Sequence, residues 1–283
     1  MKEISLDELP RWSPWPKRLL SLEPWSVPVR DSKKIEKEYN TDKYGALLQR
    51  FGDAHASIEE VRQAQFDFPG DSWLCVTKES RLYTCPLSHA RDMGRRLVLE
   101  TFRSHATDCQ SIVELGCGYG FNLSLARFQH PEKQVMGGDF SHNAVTLGKH
   151  LGLDVRHFDF YLDDSYEFLS ELSHPILVFT CHAIEQLPDA TTVVRNLCRF
   201  SKVIGRVVHL EPTYELHGDS LLGMMRRRYA ELNDYNRNLV SLVRPFSATI
   251  EQDLLGINPL NPTSKIEWQP HSKYAQENHT GCS

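Results

Sequence analysis

Short apolar runs alternate with helical patterns along the second half of the chain. Strand-like runs cover residues 111–115, 134–139, 154–157, 176–180 and 203–210, and helical spacing fills 121–129, 142–151, 165–172 and 190–201. This alternation is typical of a parallel sheet with crossover helices. A longer helical pattern at 219–242 precedes two strand-like segments, 248–256 and 265–269, joined by a turn-rich loop. The pattern predicts an α/β fold of five parallel strands followed by a terminal hairpin.

The first hundred residues follow a different pattern. Residues 1–31 are rich in proline, which excludes a long helix, and in tryptophan, which argues against a disordered tail. A helical pattern follows at 32–51, a hairpin pattern is centred on 78–80, and a helix is expected at 88–104. We therefore predict two parts, an N-terminal arm and helical cap at residues 1–105 and a core at residues 106–283.

A glycine-rich turn follows the first strand of the predicted core. The strand ends at Glu114 and Leu115, and Gly116, Gly118 and Gly120 then alternate up to the start of a helix. Glycines allow the tight turn and let a ligand approach the backbone, and the helix N-terminus offers free N–H groups. Nicotinamide-binding turns place the third glycine three residues after the second, whereas here it follows after two.

This E-x-G-x-G-x-G segment resembles motif I of class I S-adenosylmethionine (SAM)-dependent methyltransferases. The resemblance extends over residues 107–269 and implies a doubly wound, mostly parallel sheet of seven strands with the last strand antiparallel. It also implies that SAM is the cofactor. The residues it assigns to the methionine and ribose end are Glu114, Gly116, Cys117, Gly118 and Gly120. A ligand-free strand–turn–helix and a dinucleotide site stay open as alternatives.

Acidic residues also follow the second and third strands of the predicted core. Asp139 comes nineteen residues after Gly120, where a carboxylate can accept both hydroxyls of a ribose. The resemblance implies that Phe140 flanks the adenine, that Asp159 receives the adenine amino group and that Phe160 packs on the ring. The alternative for Asp139 is a role at the start of the following helix.

The segment after the fourth strand carries the candidate catalytic residues. Ligands of open α/β sheets bind beyond the carboxyl ends of the strands, which places this segment at the site. The resemblance assigns Thr180 to the cofactor site and places His182 and Glu185 against the acceptor. A histidine titrates near neutral pH, so His182 is the candidate general base. The alternatives are a structural imidazole or cofactor contact for His182 and helix capping for Glu185.

Aromatic and acidic residues elsewhere are candidates for binding the acceptor. Tyr39 and Tyr44 lie in the predicted cap, where many small-molecule enzymes of this class close over the cofactor, and Glu211 and Tyr214 follow the fifth strand. Packing of the cap on the core is the alternative for the two cap tyrosines. The histidines and carboxylates have no metal-site spacing, so no metal is expected.

Composition narrows the expected partners and location. The chain has 283 residues and a net charge of −5, which argues against a nucleic-acid partner. It has no apolar stretch long enough for a membrane helix and no leader-like N-terminus, and its seven scattered cysteines suit a reducing cytoplasm. We expect methyl transfer to an oxygen or nitrogen of a small-molecule acceptor. A protein or peptide acceptor and a non-catalytic SAM-binding partner subunit stay open.

Overall fold

The N-terminal part of the chain forms a small sheet and a set of helices. The computed structural model describes residues 1–24, 36–52, 55–65 and 72–271. Strands β1 (Lys2–Ile4), β2 (Trp73–Lys78) and β3 (Arg81–Pro86) pair antiparallel in the order β1-β3-β2, which confirms the hairpin. The helices are α1 (Trp15–Leu19), α2 (Ala46–Phe51), α3 (Ile58–Gln65) and α4 (Leu87–His105).

The helical pattern at 32–51 has an unusual geometry. Residues Lys37–Gly45 form a π-helix that runs directly into α2, and residues 32–35 lie outside the described ranges. π-Helical segments are rare in proteins. Where they do occur, they are often found at functional sites. This segment is called the π-helix below.

Seven strands form the main sheet. They are β4 (Ser111–Leu115), β5 (Gln134–Asp139), β6 (Val155–His157), β7 (Ile176–Cys181), β8 (Ile204–Glu211), β9 (Thr249–Leu255) and β10 (Thr263–Trp268). Their order is β6-β5-β4-β7-β8-β10-β9. The pairs among β4 to β8 are parallel, and β10 lies antiparallel between β8 and β9. The expected seven-stranded, mostly parallel sheet with an antiparallel last strand is confirmed.

Helices cover both faces of this sheet, because the parallel strands are apolar on both sides. They include α5 (Phe121–Gln129), α6 (His142–His150), α7 (Thr191–Arg199), α8 (Leu221–Leu232) and α9 (Leu239–Val243). On one face, Phe102 of α4 and Leu123 of α5 belong to a buried cluster with Phe179 of β7. On the other face, Val194 of α7 and Val240 of α9 belong to a cluster with Val178. The sheet is therefore doubly wound. Within the described ranges, no helix is both long and apolar enough to cross a bilayer.

The N-terminal hairpin is tied to the far edge of the main sheet. Thr77 of β2 exchanges two backbone hydrogen bonds with Gly256, which directly follows β9. The buried Arg226 of α8 donates to Thr77 Oγ1 at 2.9 Å and to Asp253 Oδ2 at 2.6 Å. If either Arg226 or Asp253 moved away, the other charge would stay buried without a partner, which is costly. The contact therefore holds the hairpin, α8 and β9 in one arrangement.

One expected helix is divided in two. The pattern at 219–242 predicts a single long helix, but α8 ends at Leu232 and α9 begins at Leu239. Asp234 has a φ of +51°, which ends the helix, and Asn236 Oδ1 accepts from the backbone N–H groups of Asn238 and Leu239. Asparagine and aspartate side chains compete with the helical backbone for hydrogen bonds, which explains the break.

Candidate functional site

A cavity of about 1270 Å³ lies at the carboxyl ends of the parallel strands. This is the edge where open α/β sheets bind their ligands. Its wall contains most of the residues expected to hold a cofactor. The lining includes Glu114, Gly116, Cys117, Gly118, Asp139, Phe140, Asp159 and Phe160. The cavity exceeds the roughly 300–1,000 Å³ of a site for one small ligand, so a cofactor and an acceptor both have room.

The glycine turn is shaped by residues with positive φ. Gly116, Gly118 and Gly120 have φ values of +75°, +57° and +90°. A Cβ at Gly116 would meet Ala183 at 2.3 Å, and a Cβ at Gly118 would meet the Tyr44 hydroxyl at 2.5 Å. The turn therefore requires glycine for its backbone conformation and for the close approach of its neighbours. Gly120 lies behind the wall, with Leu153 2.8 Å from a Cβ placed there.

Asp139 joins the glycine turn to the end of β5. Its Oδ2 accepts from the Gly118 N–H at 2.7 Å, and its Oδ1 accepts from the Ser141 N–H at 2.9 Å. Burial raises the pKa of Asp139, and the two backbone hydrogen bonds and the Lys43 charge oppose that rise. Each carboxylate oxygen can accept a second hydrogen bond, so Asp139 can still accept from ligand hydroxyls. The following helix is capped by Ser141, whose Oγ accepts from the Ala144 N–H at 3.1 Å.

Glu114 belongs to the cavity lining and has one buried oxygen without a partner in the described part of the chain. Its Oε1 accepts from Asn122 Nδ2 at 2.7 Å, whereas its buried Oε2 has no hydrogen-bond partner among the described residues. Burial raises the pKa of Glu114 to about 8, against the lowering effect of the Asn122 hydrogen bond. A cation or hydrogen-bond donor placed at Oε2 would relieve this cost.

The aromatic side of the cavity comes from the segments after β5 and β6. Phe140 and Phe160 both line it, and the ring of Phe160 lies 3.3 Å from a Cβ placed at Gly116. Asp159 Oδ1 accepts from the Tyr161 N–H at 2.8 Å, which fixes the turn carrying Phe160. This side of the cavity therefore offers aromatic surface for a flat ring and a carboxylate for its polar edge.

The π-helix closes the cavity over the glycine turn. Its Tyr39, Lys43 and Tyr44 line the wall, and the Lys43 ammonium lies 4.9 Å from the Tyr39 ring centre and 5.1 Å from that of Tyr44. Asn40 anchors it to the start of α6, where its Oδ1 accepts from Ser141 Oγ and from the Asn143 N–H, both at 2.9 Å. The cap therefore contributes directly to the site.

His182 and Glu185 form a hydrogen-bonded pair on the opposite wall. His182 Nδ1 lies 3.0 Å from Glu185 Oε2, and His182 Nε2 lies 2.7 Å from Thr263 Oγ1 of β10. Glu185 Oε2 also accepts from Asn261 Nδ2 at 2.7 Å. Burial disfavours both charges, but the neighbouring Glu185 carboxylate raises the pKa of His182 to about 8, and His182 lowers that of Glu185.

The backbone of His182 is strained. Its φ is +51°, a region that costs a non-glycine residue about 1–2 kcal/mol. The His182 N–H donates to the Leu210 carbonyl at 3.0 Å, which holds this conformation. Strain of this kind clusters at sites where a side chain must point in one direction.

Four expected site residues lie away from the cavity wall: Gly120, described above, and three others. Thr180 is fully buried because it is an internal residue of β7, which continues to Cys181, and its hydroxyl donates to Glu211 Oε1 at 2.8 Å. Glu211 is also fully buried, at the end of β8. Tyr214 Oη donates to Glu231 Oε1 of α8 at 3.0 Å. The structure thus places these side chains in hydrogen bonds within the protein and outside the cavity lining.

Most of the cavity lining was not singled out by the sequence patterns, and four polar residues illustrate this. Lys43 and Arg62 come from the cap, and Asn261 and Thr263 come from the final hairpin. The Arg62 guanidinium lies 4.5 Å from the Phe121 ring centre, and its charge acts on Glu114. Each comes from a segment remote from motif I in the chain, so only the packing of those segments brings it to the site.

Comparisons with known proteins give similar folds at low identity. No protein-family model and no curated protein matches the chain. The plantazolicin methyltransferase BpumL in complex with SAH aligns at a TM-score of 0.44 and 12% identity, over 84% of this chain and 99% of its own. The pyocyanin biosynthetic protein PhzM aligns at 0.44 and 15%, over 82% and 71%. A SAM-dependent methyltransferase from Archaeoglobus fulgidus aligns at 0.43 and 16%, over 62% and 94%.

Proposed function

We propose that this chain is a SAM-dependent methyltransferase that methylates an oxygen or nitrogen of a small-molecule acceptor. One observation carries the proposal: Asp139, hydrogen-bonded to the Gly118 N–H, and Glu114, with one unpartnered oxygen, line the same cavity at the carboxyl ends of the strands. This arrangement offers separate places for a ribose and for a cationic group on either side of a close-approach turn.

The residues present fit SAM. Glu114 Oε2 would accept from the ammonium group of the methionine end, and the Arg62 charge in the same wall would attract its carboxylate. Asp139 would accept from the ribose hydroxyls. Phe140 and Phe160 would hold the adenine ring between aromatic surfaces.

When bound, SAM supplies an electrophilic methyl group on a sulfonium, which the acceptor atom takes by in-line displacement. The aromatic faces of Tyr39 and Tyr44 favour a cationic centre and help to exclude water. With Nδ1–H donating to Glu185, the neutral His182 ring has its lone pair on Nε2, which would receive the acceptor's proton once the Thr263 hydroxyl gives way. Glu185 would then stabilise the imidazolium.

The cap supports a small acceptor. It lies over the glycine turn through Tyr44 and is anchored to α6 through Asn40, so it would cover one side of an acceptor bound in the cavity. A methyl acceptor held in such a space is positioned for transfer and shielded from solvent. A protein or peptide acceptor would instead need the cap to open widely.

The test is acceptor-dependent formation of S-adenosylhomocysteine, followed by mass spectrometry across a panel of phenols, alcohols, amines, thiols and carboxylic acids. His182→Gln should lower kcat about 10²–10⁴-fold for an acceptor that must lose a proton. The same variant should have little effect on transfer to an ionised carboxylate. No product from any acceptor, in a protein that binds SAM, would favour a non-catalytic SAM-binding subunit and contradict the proposal.

A further inference from the structure

A chain of buried hydrogen bonds runs from β10 across β8 and β7 to the turn that carries His182. Trp268 Nε1 donates to His209 Nε2 at 3.0 Å, and His209 Nδ1 lies 2.9 Å from Thr180 Oγ1. Thr180 donates to Glu211 Oε1 at 2.8 Å. Of these four residues, only Trp268 has any exposure, and that is 3%. We call this chain the relay.

The protons of the relay can be placed without ambiguity. An indole nitrogen only donates, so His209 Nε2 must accept from Trp268. Burial lowers the pKa of His209 to about 3, so the ring is neutral and its proton lies on Nδ1. His209 Nδ1–H therefore donates to Thr180 Oγ1, which leaves the Thr180 proton for Glu211. All three donors point in one direction, toward the Glu211 carboxylate.

Glu211 connects the relay to the turn after β7. Its Oε1 accepts from the backbone N–H groups of Ala183 and Ile184 at 2.9 and 3.1 Å, and its Oε2 accepts from that of Glu185 at 3.2 Å. Burial raises the pKa of Glu211 to about 7, and the backbone donors oppose that rise. The Thr180 hydroxyl is a further donor that favours the charged form.

We propose that Thr180 and Glu211 are positioning residues, which hold the turn carrying His182 and Glu185 and keep a negative charge beneath the imidazole. The effect on rate rests on the proposed methyltransferase function, whereas the effect on His182 does not. The charged groups that act on His182 are Glu185 from its own turn and Glu211 from β8. From β10 it meets the neutral Thr263 hydroxyl.

Removing the Thr180 hydroxyl should neutralise Glu211. In Thr180→Val the carboxylate loses a donor in a fully buried place, so it takes up a proton near neutral pH. A protonated Glu211 no longer attracts a proton to His182, and it is a poorer acceptor for the backbone N–H groups of Ala183 and Ile184. The His182 pKa should then fall and the turn should loosen.

The experiment is an NMR titration of the His182 ring proton, assigned by its loss in His182→Gln. In Thr180→Val the midpoint should fall below the wild-type value of about 8, and Thr180→Ser, which keeps the hydroxyl, should restore it. Glu211→Gln removes the negative charge outright and should also lower the His182 midpoint. This variant replaces Thr180→Val as the test if Thr180→Val does not fold. Thr101→Val is the matched control, because it removes a buried hydroxyl that only bonds Leu97 within α4.

Kinetics and binding separate the two proposals. In Thr180→Val, kcat should fall about 10- to 100-fold while SAM affinity stays unchanged. The reason is that the substitution displaces the His182–Glu185 pair and leaves the cofactor site in place. An unchanged His182 midpoint in both Thr180→Val and Glu211→Gln would overturn the relay. If the midpoint falls but the wild-type protein transfers no methyl group, the relay stands and the proposed function fails.

Discussion

Gly118 and Gly152 offer a direct test of how closely the cap lies on the glycine turn. Both have positive φ, +57° and +74°, so alanine at either position pays about 1–2 kcal/mol for the left-handed conformation. At Gly152 a Cβ meets nothing within 4 Å, whereas at Gly118 it would lie 2.5 Å from the Tyr44 hydroxyl. Relieving that overlap costs about 1–3 kcal/mol more, because the buried Tyr44 must move.

The assays are thermal unfolding and calorimetric titration with SAM. At ~2–4 °C per kcal/mol, Gly152→Ala should lower Tm by about 2–8 °C and leave SAM affinity unchanged. Gly118→Ala should lower Tm roughly twice as far and weaken SAM binding at least ~10-fold, because Tyr44 carries the π-helix away from the turn. Equal losses of stability in the two variants, with SAM affinity retained in both, would refute this account of the cap.

Four further predictions concern the charged groups Asp139, His182 and Arg226. Asp139→Asn should weaken SAM binding about 10- to 100-fold by calorimetry, because a charge-assisted hydrogen bond is worth about 1.5–3 kcal/mol; unchanged affinity would exclude the ribose role. Because the pKa of His182 is raised from 6.5 to about 8, kcat/KM should rise with pH through about 8. The same raised pKa stabilises the folded protein below pH 6.5, and this contribution is lost as pH rises through about 8. The difference in Tm between the wild-type protein and His182→Gln should therefore shrink over this pH range, and a constant difference would contradict the expectation. Arg226→Met should cost about 3–5 kcal/mol in urea unfolding because it strands Asp253, whereas Arg228→Met, at an exposed pair with Glu231, should cost under about 1 kcal/mol; equal losses would refute the buried role of Arg226.

The sheet could be predicted from the sequence because its signals are local. Each parallel strand is a short apolar run, and the helix Phe121–Gln129 begins directly after Gly120, whose φ of +90° ends the turn. Strand β1 escaped prediction because it has three residues, of which only Ile4 is buried, so no alternation could be detected. Its pairing with β3 depends on contacts across some eighty residues of chain.

The site was predictable only where strand ends determine it. Glu114, Asp139 and Asp159 lie at or just beyond the carboxyl ends of neighbouring strands, which meet at one edge, so the sequence places them together. The sequence pattern does not determine in which direction a side chain at a strand end points. Thr180 points into the protein beneath the cavity because β7 extends one residue farther than its apolar run suggests.

The most direct test of the central claim is calorimetric titration of the wild-type protein with SAM and S-adenosylhomocysteine, with NADH as the control. The Glu114 oxygen, the glycine turn and Asp139 predict micromolar binding of both sulfur nucleosides and no binding of NADH. Binding of NADH alone, or of none of the three, would contradict the claim that this cavity is a SAM site.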